Sequence, residues 1–221
     1  MVVESVNVGL PRRVAHEGRT VTTGIYKDPV AGRVVVRATN LDGDRQADLR
    51  VHGGPDKAVY LYPAEHYPHW REVLAPTELG PGWFGENLTT RGVLEDETWI
   101  GDVFRVGGAL LAVSQPRVPC AKLAMKAGDP AFGRPFLQSG FSGFYLRVLE
   151  EGEVGSGDPI ARERRGEGGM SVREVVALLD DSATADDLDR GAALPELALG
   201  WREQFANRAI ARRRRRASRA G

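Results

Sequence analysis

"TWIGDVFRVGGALLAVSQP", residues 98–116, decides the class of fold. Two runs rich in β-branched and apolar residues flank Gly107-Gly108, a pair that easily adopts the positive φ angles of a tight hairpin. The stretch therefore reads as two strands. "GRVVVRAT" (32–39) and "DKAVYLY" (56–62) read as further strands by alternation and turn punctuation. "GFYLRVLEEGEVGSGDPIARE" (143–163) repeats the theme around a glycine-rich turn. Only "AEHYPHWREVL" (64–74) suggests a helix in this part, with Pro68 confined to its first turn. Residues 1–165 are expected to form a mainly β domain.

The character changes after "RRGEGGM" (164–170), which reads as a linker. Ser171 and Glu174 stand at capping-box spacing, as do Thr184 and Asp187. In "PELALGWREQFANRAIARR", Leu197, Trp201, Phe205 and Arg208 share helical spacing, and Pro195 suits a first turn. Residues 166–211 are thus expected to form a three-helix module too small to fold alone. It should dock on the β domain or on another subunit, the latter giving a homodimer. The tail "RRRRRASRAG" (212–221) carries like charges and is expected to be disordered.

The chain has 221 residues, of which 42% are hydrophobic and 27% charged, the balance of a soluble globular protein. No run approaches the ~20 apolar residues of a membrane span. The N-terminus lacks the pattern of a secretory signal. A single cysteine excludes an intramolecular disulfide, and a cytoplasmic location is expected. The net charge is zero, so once the arginine tail is set aside the remainder is acidic. Without aromatic interleaving, that tail does not argue for nucleic-acid binding.

The lone cysteine sits in "SQPRVPC" (114–120), where two prolines stiffen the backbone and hold Gln115 and Val118 extended. In a polyproline-like run Arg117 and Cys120 project from one side, and a guanidinium beside a thiol favours the reactive thiolate. The alternative is an ordinary buried cysteine beside a surface arginine. "NLDGDRQADLRVHGGPDKAVYLYP" (40–63) gathers Arg45, Arg50, His52, Asp56 and Lys57 around Gly53 and Gly54, glycines that permit close approach of backbone to an anion. In "PGWFGENLTTRG" (81–92), Glu86, Asn87 and Thr89 offer donors and acceptors suited to a heterocycle edge, or to a loop's own hydrogen bonds. Lys27, before Pro29, is placed to meet a phosphate or to sit in solvent. His66 and His69 do not match a zinc-site spacing.

In order along the chain, "LDGDRQADLRVHGGPDKAVYLYPAEHYPHW", "FGENLTT", "IGD" (100–102), "SQPRVPCAKL" and "SGFYLRVLEEGEV" resemble the MOSC family, named for the C-terminal domain of molybdenum cofactor sulfurase. They are most similar to its YiiM-like branch. The resemblance implies a β-barrel-like domain with a small C-terminal three-helix module. It also implies a bound molybdenum cofactor, with Cys120 as a molybdenum ligand or a carrier of sulfur. The implied activity is reduction of N-hydroxylated bases such as 6-N-hydroxylaminopurine.

A cofactor with a terminal phosphate, a flat pterin and a soft metal calls for cations, polar edges and a thiolate. Lys27, Arg45, Arg50, Lys57 and Arg117 are candidates for the first. Asp56, Glu86, Asn87, Thr89 and Gln115 are candidates for the second, and Cys120 for the third, with His52 or Asp56 as a proton donor. No nicotinamide or flavin motif is present, so a separate reductase would supply electrons. Two alternatives stand beside this reading: a persulfide carrier, and a non-catalytic cofactor-binding module.

Overall fold

A computed structural model describes residues 1–48, 53–74 and 78–220, with side chains to Ser218. Twelve strands precede the C-terminal helices: β1 (Val2–Val8), β2 (Arg12–His16), β3 (Arg19–Thr23), β4 (Asp28–Pro29), β5 (Arg33–Val36), β6 (Val59–Pro63), β7 (Leu88–Arg91), β8 (Val103–Val106), β9 (Ala109–Pro116), β10 (Phe144–Glu150), β11 (Gly152–Gly155) and β12 (Ile160–Arg164). Helix α1 (Tyr67–Val73) follows β6, while α2 (Ala121–Ala127) and α3 (Gly133–Ser139) separate β9 from β10.

Eight strands form one sheet in the order β12-β8-β9-β10-β6-β7-β1-β4, antiparallel throughout except at the β6–β7 pair. The Val3 amide donates to Asp158 O at 3.0 Å and the Ile160 amide to Met1 O at 3.0 Å. These bonds bring the two ends of the strand order together, so the sheet curls into a barrel and few edge groups are left unpaired. The barrel is filled by aliphatic residues and Phe104 and Phe144, all fully buried.

The hairpin at Gly107-Gly108 is present, with Gly107 at φ 53°. The stretch 143–163 is not a second simple hairpin. β11 pairs with β5, and β12 pairs with β8, because barrel closure takes the hydrogen bonds that a local hairpin would have used. Pro68 lies in the first turn of α1 as expected. Helices α2 and α3 correct the expectation of one helix in the β domain; each ends on a glycine in the left-handed region, Gly128 at φ 68° and Gly140 at φ 71°.

Helices α4 (Val172–Ala177), α5 (Ala185–Ala192) and α6 (Leu199–Ala220) form the C-terminal module. Both capping boxes are made, Ser171 with Glu174 and Thr184 with Asp187. Pro195 is not in a first turn: it stands in the turn ahead of α6. The module docks on the barrel, and Val172, Val175, Leu188, Trp201 and Phe205 belong to the same continuous core as the strands. The Ala198 amide to Ser114 O (3.0 Å) and Arg147 Nη1 to Glu196 O (2.6 Å) fix the junction.

The arginine tail is helical rather than disordered. Acidic residues beside α4 and α5 neutralise it: Arg213 pairs with Asp186 and Asp189, and Arg212 with Asp181. The like-charge penalty is thereby relieved along one face of α6.

Candidate active site

An aromatic cluster, separate from the barrel core, packs Tyr60, Tyr62, Trp70, Phe84, Phe132 and Phe136 between β6, α1 and α3. Above it opens a cavity of ≈ 490 Å³, walled by the β2–β3 hairpin, the Gly53 turn and the residues following β9. Cys120 lines it, partly buried, with extended backbone (φ −128°, ψ 165°) at the start of α2. Arg117 lines the same space, so the two side chains do share a side.

Arg117 is the unusual group. Its side chain is buried, and its guanidinium carbon lies 5.2 Å from the ring centres of both Tyr60 and Phe136. Nη1 has no hydrogen-bond partner, and no carboxylate pairs with this guanidinium among the described residues. Burial pulls the Arg117 pKa down, but Tyr60, Tyr145 and the Cys120 sulfur outweigh it and leave it above its ordinary value. A buried cation without an anion is costly, so the site is electrostatically incomplete toward the thiol.

Lys27 is different. Its ammonium is buried and paired with Asp44, whose carboxylate also accepts from the Gly9 amide (3.0 Å) and Asn87 Nδ2 (3.0 Å). Burial lowers the lysine pKa and Asp44 only partly restores it. Asn87 is saturated as well: its Oδ1 accepts from the Tyr60 amide at 3.1 Å. Both line the cavity, yet their polar groups already answer one another.

Of the other expected site residues, Arg45, Gly53, Lys57 and Gln115 also line the cavity. Gly53 and Gly54 sit at φ 92° and 85°, the left-handed region the turn requires. Glu86 and Thr89 do not reach the cavity. Glu86 Oε1 accepts from Tyr67, the Gly82 amide and Thr89 Oγ1, which makes this group an interior brace for the loop before β7. Burial first, then the Glu86 charge, pushes the Tyr67 hydroxyl far above its usual pKa, so it stays a donor.

Asp56 is directed elsewhere. Its carboxylate pairs with Arg147, and together with Gly54 it lines a neighbouring groove. That engagement removes it as a proton donor beside Cys120. Arg50 and His52 lie outside the described residues.

Sequence reasoning missed Tyr145, Lys122 and the hairpin residues Thr22 and Thr23, all of which line the cavity. Burial raises the Tyr145 pKa, and the neighbouring Arg117 charge opposes that rise. The place of Tyr145 in "SGFYLRV" and that of Lys122 two residues after Cys120 were the available signals. His66 and His69 are structural: His66 Nε2 lies 2.7 Å from Glu95 Oε2, and both rings pack on Phe141.

The donor set fits a molybdenum cofactor. Among the described residues no three carboxylates, imidazoles or thiols converge, and Cys120 is the soft donor on the cavity lining. Arg45, Lys57 and Lys122 supply positive charge for a phosphate. Among the described residues, no helix is long and apolar enough to cross a membrane.

Residues 48–161 match the MOSC domain model, and the chain belongs to the MOSC domain family. It is 44% identical over 204 residues to the uncharacterized protein YflK of Bacillus subtilis, covering 92% of each chain. The crystal structure of YiiM from Geobacillus stearothermophilus superposes with a TM-score of 0.79 at 37% identity, covering 94% of this chain and 98% of that one. A protein of Gibberella moniliformis named "Reductase" is 37% identical over 147 residues, 65% of this chain and 26% of that relative. The fold is therefore the YiiM-type barrel with its C-terminal helices.

Proposed function

We propose that this protein is a molybdenum-cofactor-dependent reductase that converts N-hydroxylated bases, such as 6-N-hydroxylaminopurine, to the corresponding amines. The observation that carries the reading is the buried, carboxylate-free Arg117 beside the chain's single thiol. A bound cofactor would supply the two-electron redox chemistry and accept the hydroxyl oxygen.

The chain's own residues bind and orient. Cys120 offers the chain's single sulfur, a soft ligand suited to a soft metal. Arg117, packed against Tyr60 and Phe136, sets a positive charge in the cavity that Cys120 lines. Arg45, Lys57 and Lys122 draw in the phosphate. The Lys27–Asp44–Asn87 group keeps the facing wall rigid. Reduction of R–NHOH consumes two electrons and two protons and releases R–NH₂ and water. The electrons come from a separate reductase. The Gibberella relative supports this partner, because the matched region is only 26% of a longer chain named a reductase.

The test is product formation by cofactor-loaded protein given 6-N-hydroxylaminopurine and a chemical reductant. Adenine should form with the wild type and fall to background with folded Cys120→Ser. Undiminished turnover in that variant, or none by loaded wild type, would contradict the reading.

A further inference from the structure

The groove that holds Asp56 adjoins the thiol cavity. It encloses ≈ 420 Å³ between the single helical turn at Pro55–Lys57 and the first turns of α6. Lys57 and Gln115 line both spaces. Gln115 is only 5% exposed, and among the described residues its side-chain amide has no hydrogen-bond partner. Its amide stands where the two spaces meet and can offer donors and an acceptor to a ligand there.

The opposite wall comes from the helical module. Trp201 presents a largely buried aromatic surface, with Gln204 exposed at the rim. Gly200 precedes Trp201 in the first turn of α6 and also lines the groove, and a Cβ added there would meet nothing within 4 Å. Glycine weakens a helix relative to alanine, and here no neighbour demands it. Its effect is to leave the groove open. The Asp56 charge is answered by Arg147 and Lys57 has an interaction of its own, so neither charge on the groove is left over. An aromatic wall, two neutral amides and a compensated carboxylate suit a flat, uncharged heterocycle with adjacent donor and acceptor atoms.

We infer that this groove seats the heterocycle of the substrate, an adenine-like base, with Gln115 as the specificity-determining residue at the junction with the thiol cavity. α6 is then part of the site, and the helical module contributes to substrate choice. The identity of the ligand rests on the reductase reading; the location of the groove does not.

The test uses full-length protein and adenine as the probe, followed by calorimetry. Wild type should bind adenine, and Gly200→Phe, which fills the groove, should weaken it at least about tenfold. Melting temperature and molybdenum content should stay at wild-type values. Gly200→Ala, a safer variant for folding, should weaken binding less than Gly200→Phe, and Gln115→Leu should also weaken it. Cys120→Ser should keep adenine binding while losing reduction. Unchanged adenine affinity in Gly200→Phe, or no binding by folded wild type, would overturn the inference. So would loss of adenine binding in Cys120→Ser, which would place the base in the thiol cavity. Full reduction by Cys120→Ser would instead sink the reductase reading alone.

Discussion

Two corners of one cavity hold buried cations and treat them in opposite ways. At the Lys27 corner the ammonium meets Asp44, and Asp44 meets the Gly9 amide and Asn87, so each charge or donor has its counterpart. At the Arg117 corner a guanidinium is packed against Tyr60 and Phe136 with Nη1 unpaired and no carboxylate partner. The first corner is closed and ties the loop after β3 to β1 and β7. The second is open toward Cys120. Lining a cavity is therefore a poor guide to which cation meets a ligand; the better guide is which one lacks a partner.

The largest expected effect comes from opening the closed corner. Asp44→Ala leaves Lys27 buried and unpaired, and should cost about 3–5 kcal/mol in urea unfolding. A loss near zero would show that the two corners do not differ. Arg117→Met leaves no charge unpaired and should cost under about 1.5 kcal/mol, since methionine refills the space against Tyr60 and Phe136. Cofactor loading should be lost at the same time. A loss as large as that of Asp44→Ala, with intact loading, would invert the comparison.

Away from both corners, Ser171→Ala removes the α4 cap and should cost about 1 kcal/mol with molybdenum content unchanged. A pH dependence is expected at Lys126, whose pKa burial lowers to about 8 despite its position over the Tyr26 and Trp83 rings. Between pH 8 and its ordinary 10.5 the unfolded chain holds the proton that the folded chain has released, so stability rises with pH across that window. Lys126→Met should be more stable than wild type below pH 8, with the advantage shrinking toward pH 10.5. A constant difference across that range would contradict the assignment.

The β class was legible where local pattern determines structure, as at Gly107-Gly108 and in both capping boxes. Strand order was not. Pairing of β11 with β5 and β12 with β8 depends on contacts more than a hundred residues or about fifty residues apart, which no local alternation encodes. α2 and α3 are only seven residues each and carry little periodic signal, although the glycines that end them were visible. The tail is helical, and two of its arginines, Arg212 and Arg213, meet Asp181, Asp186 and Asp189, pairings that depend on tertiary structure.

At the site, the prolines around Arg117 announced an ordered thiol loop. The burial of Asp44 did not show in the sequence, because "LDGDR" reads as a surface turn. Glu86 and Thr89 looked like ligand contacts for the same reason that makes them good interior braces: each offers several hydrogen-bonding atoms.

The central claim is that the open corner exists to hold a metal-bound cofactor at Cys120. Metal analysis of wild type and Cys120→Ser, both purified from a host that makes molybdenum cofactor, tests it most directly. Stoichiometric molybdenum in the wild type, with loss or an altered spectrum in the variant, is the predicted result. Folded wild type without molybdenum but with sulfane sulfur on Cys120 would contradict it and point to a sulfur carrier.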